Sequence, residues 1–199
     1  MENITNKSAL EVVEELKCNC ISNCIIVGAM NYEYGKVLSA QMNNVLELLP
    51  RHSLSTCVSI IDSPLMTSMQ LEYLFNLGYT RIGYIHYCGI DISRYPIQVA
   101  RLMEFYRIMA EKGLPVNKQW VFQCTENCSN IEEGIEQIFA SLQAPQVLIV
   151  PGYSLKYLYP ALKKKGLKIG KDIAIFSCDE TDEEFVPEIT HITNNPREI

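Results

Sequence analysis

The sequence lacks any run of the ~18 to 20 apolar residues that a membrane-spanning helix needs. Its opening, MENITNKSAL, has neither the basic nor the apolar segment of a secretory leader. No GxGxxG follows an apolar run and no GxxxxGK[ST] occurs, so both glycine-built phosphate cradles are missing. Histidine is scarce: His52, His86 and His191 are the only three in 199 residues, and none stands where it would activate a nucleophile. Positive charge is in deficit as well, because 17 Lys and Arg against 23 Asp and Glu leave −6. A chain of that balance does not grip phosphate backbones by itself. These absences predict a cytoplasmic protein with no membrane partner, no cofactor and no catalytic residues.

What is present is enough apolar material for a core: 48% of residues are hydrophobic and 9% aromatic, which fits one domain or two small lobes. Eight cysteines in a chain this long need no disulfide framework. Cys24, Cys57 and Cys178 lie in or beside apolar runs, where cysteine acts as a small hydrophobe. The Cys18, Cys20, Cys24 cluster and the Cys124, Cys128 pair lack the paired CxxC spacing and neighbouring histidine of a zinc site, so no metal is expected. Lys163 to Lys165 fall in the last turn of a helix, where cations complement the dipole. The acidic run from Asp179 to Glu184 lacks the glycine and ligand spacing of a calcium loop.

Apolar runs and helical patterns alternate along the chain. Ser8 and Glu11 have capping-box spacing and open a helix over 9–18. Cys24 to Val27 reads as a strand, a helix follows near 33–42, apolar runs stand at 45–49 and 57–61, and a helix at 66–77 is stopped by Gly78. Ile82 to Ile85 is a strand. After the irregular Tyr87 to Pro96, a helix over 97–112 ends at Gly113 with Pro115 beyond. Strand 120–123, helix 130–142, strand 147–150, helix 154–165 and strand 173–176 complete the pattern. Asn130 marks the start of helix 130–142, with Ile131, Ile135, Ile138 and Leu142 on one stripe. Pro160 predicts that helix 154–165 starts late or kinks. Strands spaced by helices, with near-continuous apolar character, give a parallel α/β architecture.

The order of Leu77-Gly78-Tyr79-Thr80-Arg81-Ile82-Gly83-Tyr84-Ile85, Arg101 to Phe105, Gly113 to Val116 and Pro145 to Val150 goes further. With Lys165 to Ile169, Asp172 to Ile175, Cys178-Asp179 and Ile189 to Pro196, it resembles the effector-binding domain of the LacI/GalR family of bacterial transcription regulators. The resemblance spans residues 9–199. It implies a two-lobed, periplasmic-binding-protein-like α/β fold of type I, in which parallel sheets flanked by helices close on a small ligand, usually a sugar or nucleobase. It also implies an N-terminal lobe over 1–90, a C-terminal lobe over 91–189 and a crossover segment over 190–199. Against the family pattern, the helix-turn-helix and the opening strand–helix–strand of the first lobe are not in this chain. The first lobe is therefore expected to be incomplete, with an exposed sheet edge.

Site residues carry over where the pattern survives. Arg101 matches a family arginine that enters the cleft, and its planar five-donor fork suits vicinal hydroxyls or a carboxylate; a solvated helix arginine is the other reading. Asp179 matches the family's acceptor carboxylate at a strand's carboxyl end; a helix N-cap is the other reading. Tyr87, Glu126 and Tyr153 fall on strand-end loops and are candidates to line the cleft, the tyrosines by stacking on a sugar face. The family's Asn-Asp pair is Pro151-Gly152 here, which removes two polar contacts, and Glu104 and Ser177 stand where glycine is common.

The resemblance implies a non-enzymatic sensor of a small, sugar-like effector. It implies a homodimer formed through helix 66–77 and its neighbours, reaching DNA only through a helix-turn-helix not in this chain. Two other readings stay open: a dimerisation module that binds no ligand, and an α/β enzyme, for which no nucleophile–base pair or phosphate motif speaks.

Overall fold

The computed structural model describes residues 7–27, 32–48, 54, 57–60, 64–87, 96–125, 127–178 and 185–192. The chain divides into two compact units, residues 1–63 with 91–97, and residues 64–90 with 98–199.

The first unit begins with α1 (Ala9–Cys18). Its N-terminus is a capping box in which Ser8 accepts from the Glu11 amide and Glu11 reaches back to the Ser8 amide, pairing two donors the helix would otherwise leave open. Cys20, at φ 59°, takes the left-handed conformation just beyond it. Strands β1 (Asn23–Val27), β2 (Asn44–Leu48) and β3 (Val58–Ile60) form a parallel sheet in that order, with α2 (Tyr32–Gln41) joining the first two. One face packs Ile26, Cys24 and Val45 against Val12 and Val13 of α1 and Leu38 of α2. Strand alternation turns Ile25 and Val27 the other way, and both are exposed, as is Val58.

The second unit holds α3 (Leu65–Asn76), β4 (Ile82–Tyr87), α4 (Pro96–Glu111, from Gln98 onward), β5 (Val121–Cys124), α5 (Ile131–Phe139), β6 (Val147–Val150), α6 (Leu155–Lys164), β7 (Ala174–Ser177) and β8 (Thr190–His191). Its five strands are all parallel, in the order β5-β4-β6-β7-β8. Alternation along the strands sorts the core into two layers. Ile82, Tyr84, Val147 and Ile149 meet Leu71 and Leu74 of α3 and Phe105 and Met109 of α4. Ile85, Leu148 and Val150 meet Ile135 and Ile138 of α5 and Leu158 and Leu162 of α6. A sheet buried on both faces needs apolar residues at every position, which is why all four residues of β6 are buried. The α5 layer sits close: a Cβ on Gly134 would fall 2.4 Å from Phe122 Cδ1, so only glycine lets helix and ring approach this far.

The pairing differs from the sequence-based bounds of 1–90, 91–189 and 190–199. α3 and β4 belong to the second unit, with β4 between β5 and β6, and β8 pairs with β7 at that sheet's edge. Sheet membership is a long-range property, and β4's apolar run carries no mark of which sheet it joins. Local expectations fare unevenly. Gly113 ends α4 with φ 67°. Leu142 lies beyond the end of α5 and is fully exposed, not on its apolar stripe. Trp120 stands in a 3-10 turn, its indole N–H donating to the Gln143 carbonyl at 3.1 Å, and β5 begins one residue later. α6 runs through Pro160, and its irregularity is a 3-10 turn at Gly152–Ser154 before it.

Candidate functional site

Strand order in the second sheet reverses beside β4: the chain moves from β4 out to β5, then returns to place β6 on β4's other side. In open parallel α/β sheets the carboxyl ends of strands at such a reversal form the ligand-facing crevice. Tyr87 is the last residue of β4, and Tyr153 sits in the turn after β6. Their rings meet edge-on, with centroids 5.5 Å apart at 81°. Tyr87 is 1% exposed whereas Tyr153 is half-buried, so Tyr153 is the more open of the two rings. The turn that presents it is tied down by the buried Ser154 hydroxyl, which donates to the Pro151 carbonyl at 2.6 Å. Pro151 and Gly152 are themselves buried, so the two residues that directly follow β6 offer no polar side chain.

Arg101 lies in the second turn of α4 and is buried, at 7% exposure. That is not a solvated helix arginine. Asp179 and Glu126 lie outside the described residues. The structure therefore brings Tyr87 and Tyr153 into contact, places Arg101 on the helix that follows β4, and leaves the other two unplaced.

Three polar groups at this edge escaped the sequence reading. Gln70, in α3, is fully buried and donates through Nε2 to the Ser177 carbonyl at 3.2 Å and to Cys178 Sγ at 3.5 Å. Thr67, one turn earlier, is fully buried too. Both are polar residues on the apolar face Met66, Leu71 and Leu74 define, a signal that was readable. His86, next to last in β4, is partly buried, and burial lowers its imidazole to about 4, so it is neutral at pH 7. Among the described residues no three His, Cys, Asp or Glu are grouped as a metal site would require. The seven cysteines among them are free thiols, and burial beside Cys128 pushes Cys124 up to about 12, which leaves it an inert thiol.

Glu104 bonds within α4 and across to α3. Its carboxylate takes hydrogen bonds from Arg107, at 2.6 Å, and from the Ser68 hydroxyl, at 2.5 Å, and these hold it down to about 2. Two windows of acid sensitivity follow. His86 has a folded value below its usual 6.5, so stability present above pH 6.5 is lost as pH falls toward about 4. Glu104 has a folded value below its usual 4.5, so stability present above pH 4.5 is lost as pH falls toward about 2. Melting temperatures measured across this range should show H86Q flatter than wild type between pH 6.5 and 4, and E104Q flatter only below 4.5. Parallel curves would contradict both assignments.

Residues 71–199 match the family model of the periplasmic binding protein-like domain. The chain belongs to that family. Relatives in sequence include the HTH-type transcriptional repressor PurR of Vibrio cholerae serotype O1 (strain M66-2), 26% identical over 134 residues. The PurR of Aliivibrio salmonicida (strain LFI1238) is 24% identical over 131 residues. Each alignment takes in 64% of this chain, which spans only 38% of those relatives' length. In fold, the chain is similar to the transcription regulator CcpA of Lactococcus lactis, with a TM-score of 0.72 at 16% identity, covering 98% of this chain and 72% of that one. It is likewise similar to a regulatory protein of LacI family from Chloroflexus aggregans, with a TM-score of 0.69 at 14% identity, covering 95% and 69%. The periplasmic binding protein-like fold and the likeness to LacI-type effector domains thus agree with the expected architecture. No helix among the described residues is long and apolar enough to cross a membrane.

Proposed function

We propose that this chain is the sensing part of a LacI-type transcription regulator, binding a small polar metabolite, a sugar or nucleobase, at the carboxyl edge of its second sheet. The observation that carries this is the family match over 71–199 together with relatives that are transcriptional repressors. The strand reversal at β4 and β6 supplies the place, Tyr153 a half-buried ring and Arg101 a buried guanidinium. Asp179 and Glu126 complete the proposed contact set. The domain is not an enzyme in this reading. It works in the cytoplasm as a homodimer, and it reaches DNA through a helix-turn-helix supplied outside this chain. The metabolite acts by population shift, binding one conformation better than another.

Thermal-shift titration with neutral sugars, sugar phosphates and purines tests this. A saturable rise in melting temperature with one class is expected, and a folded sample that answers none of them would refute it. A second reading, an interaction module without a ligand, is favoured by the buried Pro151-Gly152 pair and by exposed Ile25, Val27 and Val58 on the first sheet. Light scattering that shows a stable dimer, with no metabolite response, would select it.

A further inference from the structure

We infer that the outward face of the first sheet is an interface between two copies of this chain. The inference rests on the homodimer proposed above and gives it a place, the first sheet and not helix 66–77.

Strand register turns this face into a grid. Ile25 stands beside Leu46 and Leu46 beside Val58, while Val27 stands beside Leu48. None of these side chains joins the core that α1 and α2 cover. Ile25, Val27 and Val58 are 64%, 68% and 69% exposed, and Leu46 and Leu48, on the central strand, are half-buried. A lone exposed aliphatic is ordinary, but a contiguous set of them in register marks a contact surface. Parallel sheets, moreover, are covered on both faces, and no described element covers this one.

Two observations choose a second copy as the cover. The first is charge. The outward positions 23, 25, 27, 44, 46, 48 and 58 carry no ionisable group. Glu47, on the central strand, is buried on the opposite side and accepts the Leu54 amide at 2.8 Å. Copies of a chain with net charge −6 repel one another, and on this face they meet no like charge. The second is the polar row beside the aliphatics. Asn44 Nδ2 donates to Asn23 Oδ1 at 2.7 Å, which leaves Asn23 with an amide N–H and Asn44 with a carbonyl oxygen to offer. A two-fold interface sets a patch against itself, and this row holds one donor for each acceptor of its copy. α3 is less suited: Glu72 is exposed on it, and the Tyr73 ring already packs edge-on against Phe176. The face spans about 14 Å across the strands and about 17 Å along them, short of the ~800 Å² per partner of a standard interface. The dimer is therefore weak, with a Kd on the order of 10 µM.

Sedimentation velocity of the full chain over a concentration series tests this. Wild type should pass from monomer to dimer, and more readily as salt rises, because salt screens the repulsion and no ion pair is there to weaken. Ile25→Lys should raise Kd at least tenfold, since a two-fold interface would bury the cation twice, and Ile25→Val should retain the dimer. Val58→Lys, on another strand, should act like Ile25→Lys. Both lysine variants should keep the wild-type circular dichroism, because the side chains they replace are exposed in the monomer. Met69→Lys, at an exposed position of α3, should leave the dimer unchanged. A wild type still monomeric at about 1 mM, a dimer that salt dissolves, a dimer that Met69→Lys breaks and Ile25→Lys does not, or lysine variants that both fail to fold would overturn the interface. The metabolite-dependent thermal shift is a separate readout. A monomer that shows it overturns the interface alone, and a dimer that lacks it overturns the sensing proposal alone.

Discussion

Arg101→Met should fold, melt below wild type because the partner of the buried guanidinium is left unpaired, and lose the metabolite-dependent thermal shift. Methionine keeps most of the length of the arginine stem, so a side chain buried to 7% exposure is replaced without opening a large hole. What disappears is a planar fork that can give two parallel hydrogen bonds to one ligand group. Charge-assisted bonds of that kind contribute about 1.5–3 kcal/mol each, so losing two should lower affinity by about 10²- to 10⁴-fold. Arg101→Lys separates charge from geometry: an ammonium keeps the charge but not the fork, and should recover no more than about a tenth of the lost affinity if paired bonds matter. Calorimetric titration with the metabolite identified by thermal shift measures all three. Equal affinity in wild type and Arg101→Met would assign this arginine to the packing of α4 alone.

The α/β alternation was legible because its signals are local. Ser8 and Glu11 announced α1 and form its capping box; Gly113 announced the end of α4 and takes a positive φ there. Asn130 shows the limit of local reading. It does precede α5, but its side chain makes no cap bond; Oδ1 accepts the Thr125 amide at 2.8 Å instead. Capping and loop closure use the same short amide, and sequence spacing does not say which wins. The division into units was not legible, because it depends on whether β4 pairs with β3 or with β5 and β6, and a four-residue apolar core looks alike in either sheet.

The site was legible in part. Arg101 was reached by resemblance and the two tyrosines by their place at strand ends, and the contact between Tyr87 and Tyr153 follows from a strand reversal that no residue of either strand encodes. Thr67 and Gln70 went unread although they interrupt an apolar face, because a polar residue inside a helix is ordinary until its burial is known. His86 was passed over for want of a nucleophile to activate. Its neutrality at pH 7 comes from burial, which depends on the packing around the end of β4 and not on its sequence neighbours.

The largest loss of stability should come from Phe105→Ala, one turn along α4 from Arg101. Phe105 has no exposed surface, and its ring lies 4.9 Å from that of Tyr84 and 5.6 Å from that of Tyr106. Truncation removes the transfer free energy of the ring and leaves a cavity between α4 and the sheet, together about 3–5 kcal/mol, with up to about 1 kcal/mol more from the lost aromatic pairs. Phe105→Leu refills most of the volume and should cost well under half as much. Met103→Ala, on the same helix but two-thirds exposed, should change stability by no more than about 0.5 kcal/mol. Urea unfolding followed by tryptophan fluorescence reads this unit directly, since Trp120 lies in it and is the chain's only tryptophan. The midpoint should drop steeply for Phe105→Ala at an unchanged slope. A cost below about 1 kcal/mol would mean that the layer collapses onto the gap, and that α4, with Arg101 on it, is not held by this contact.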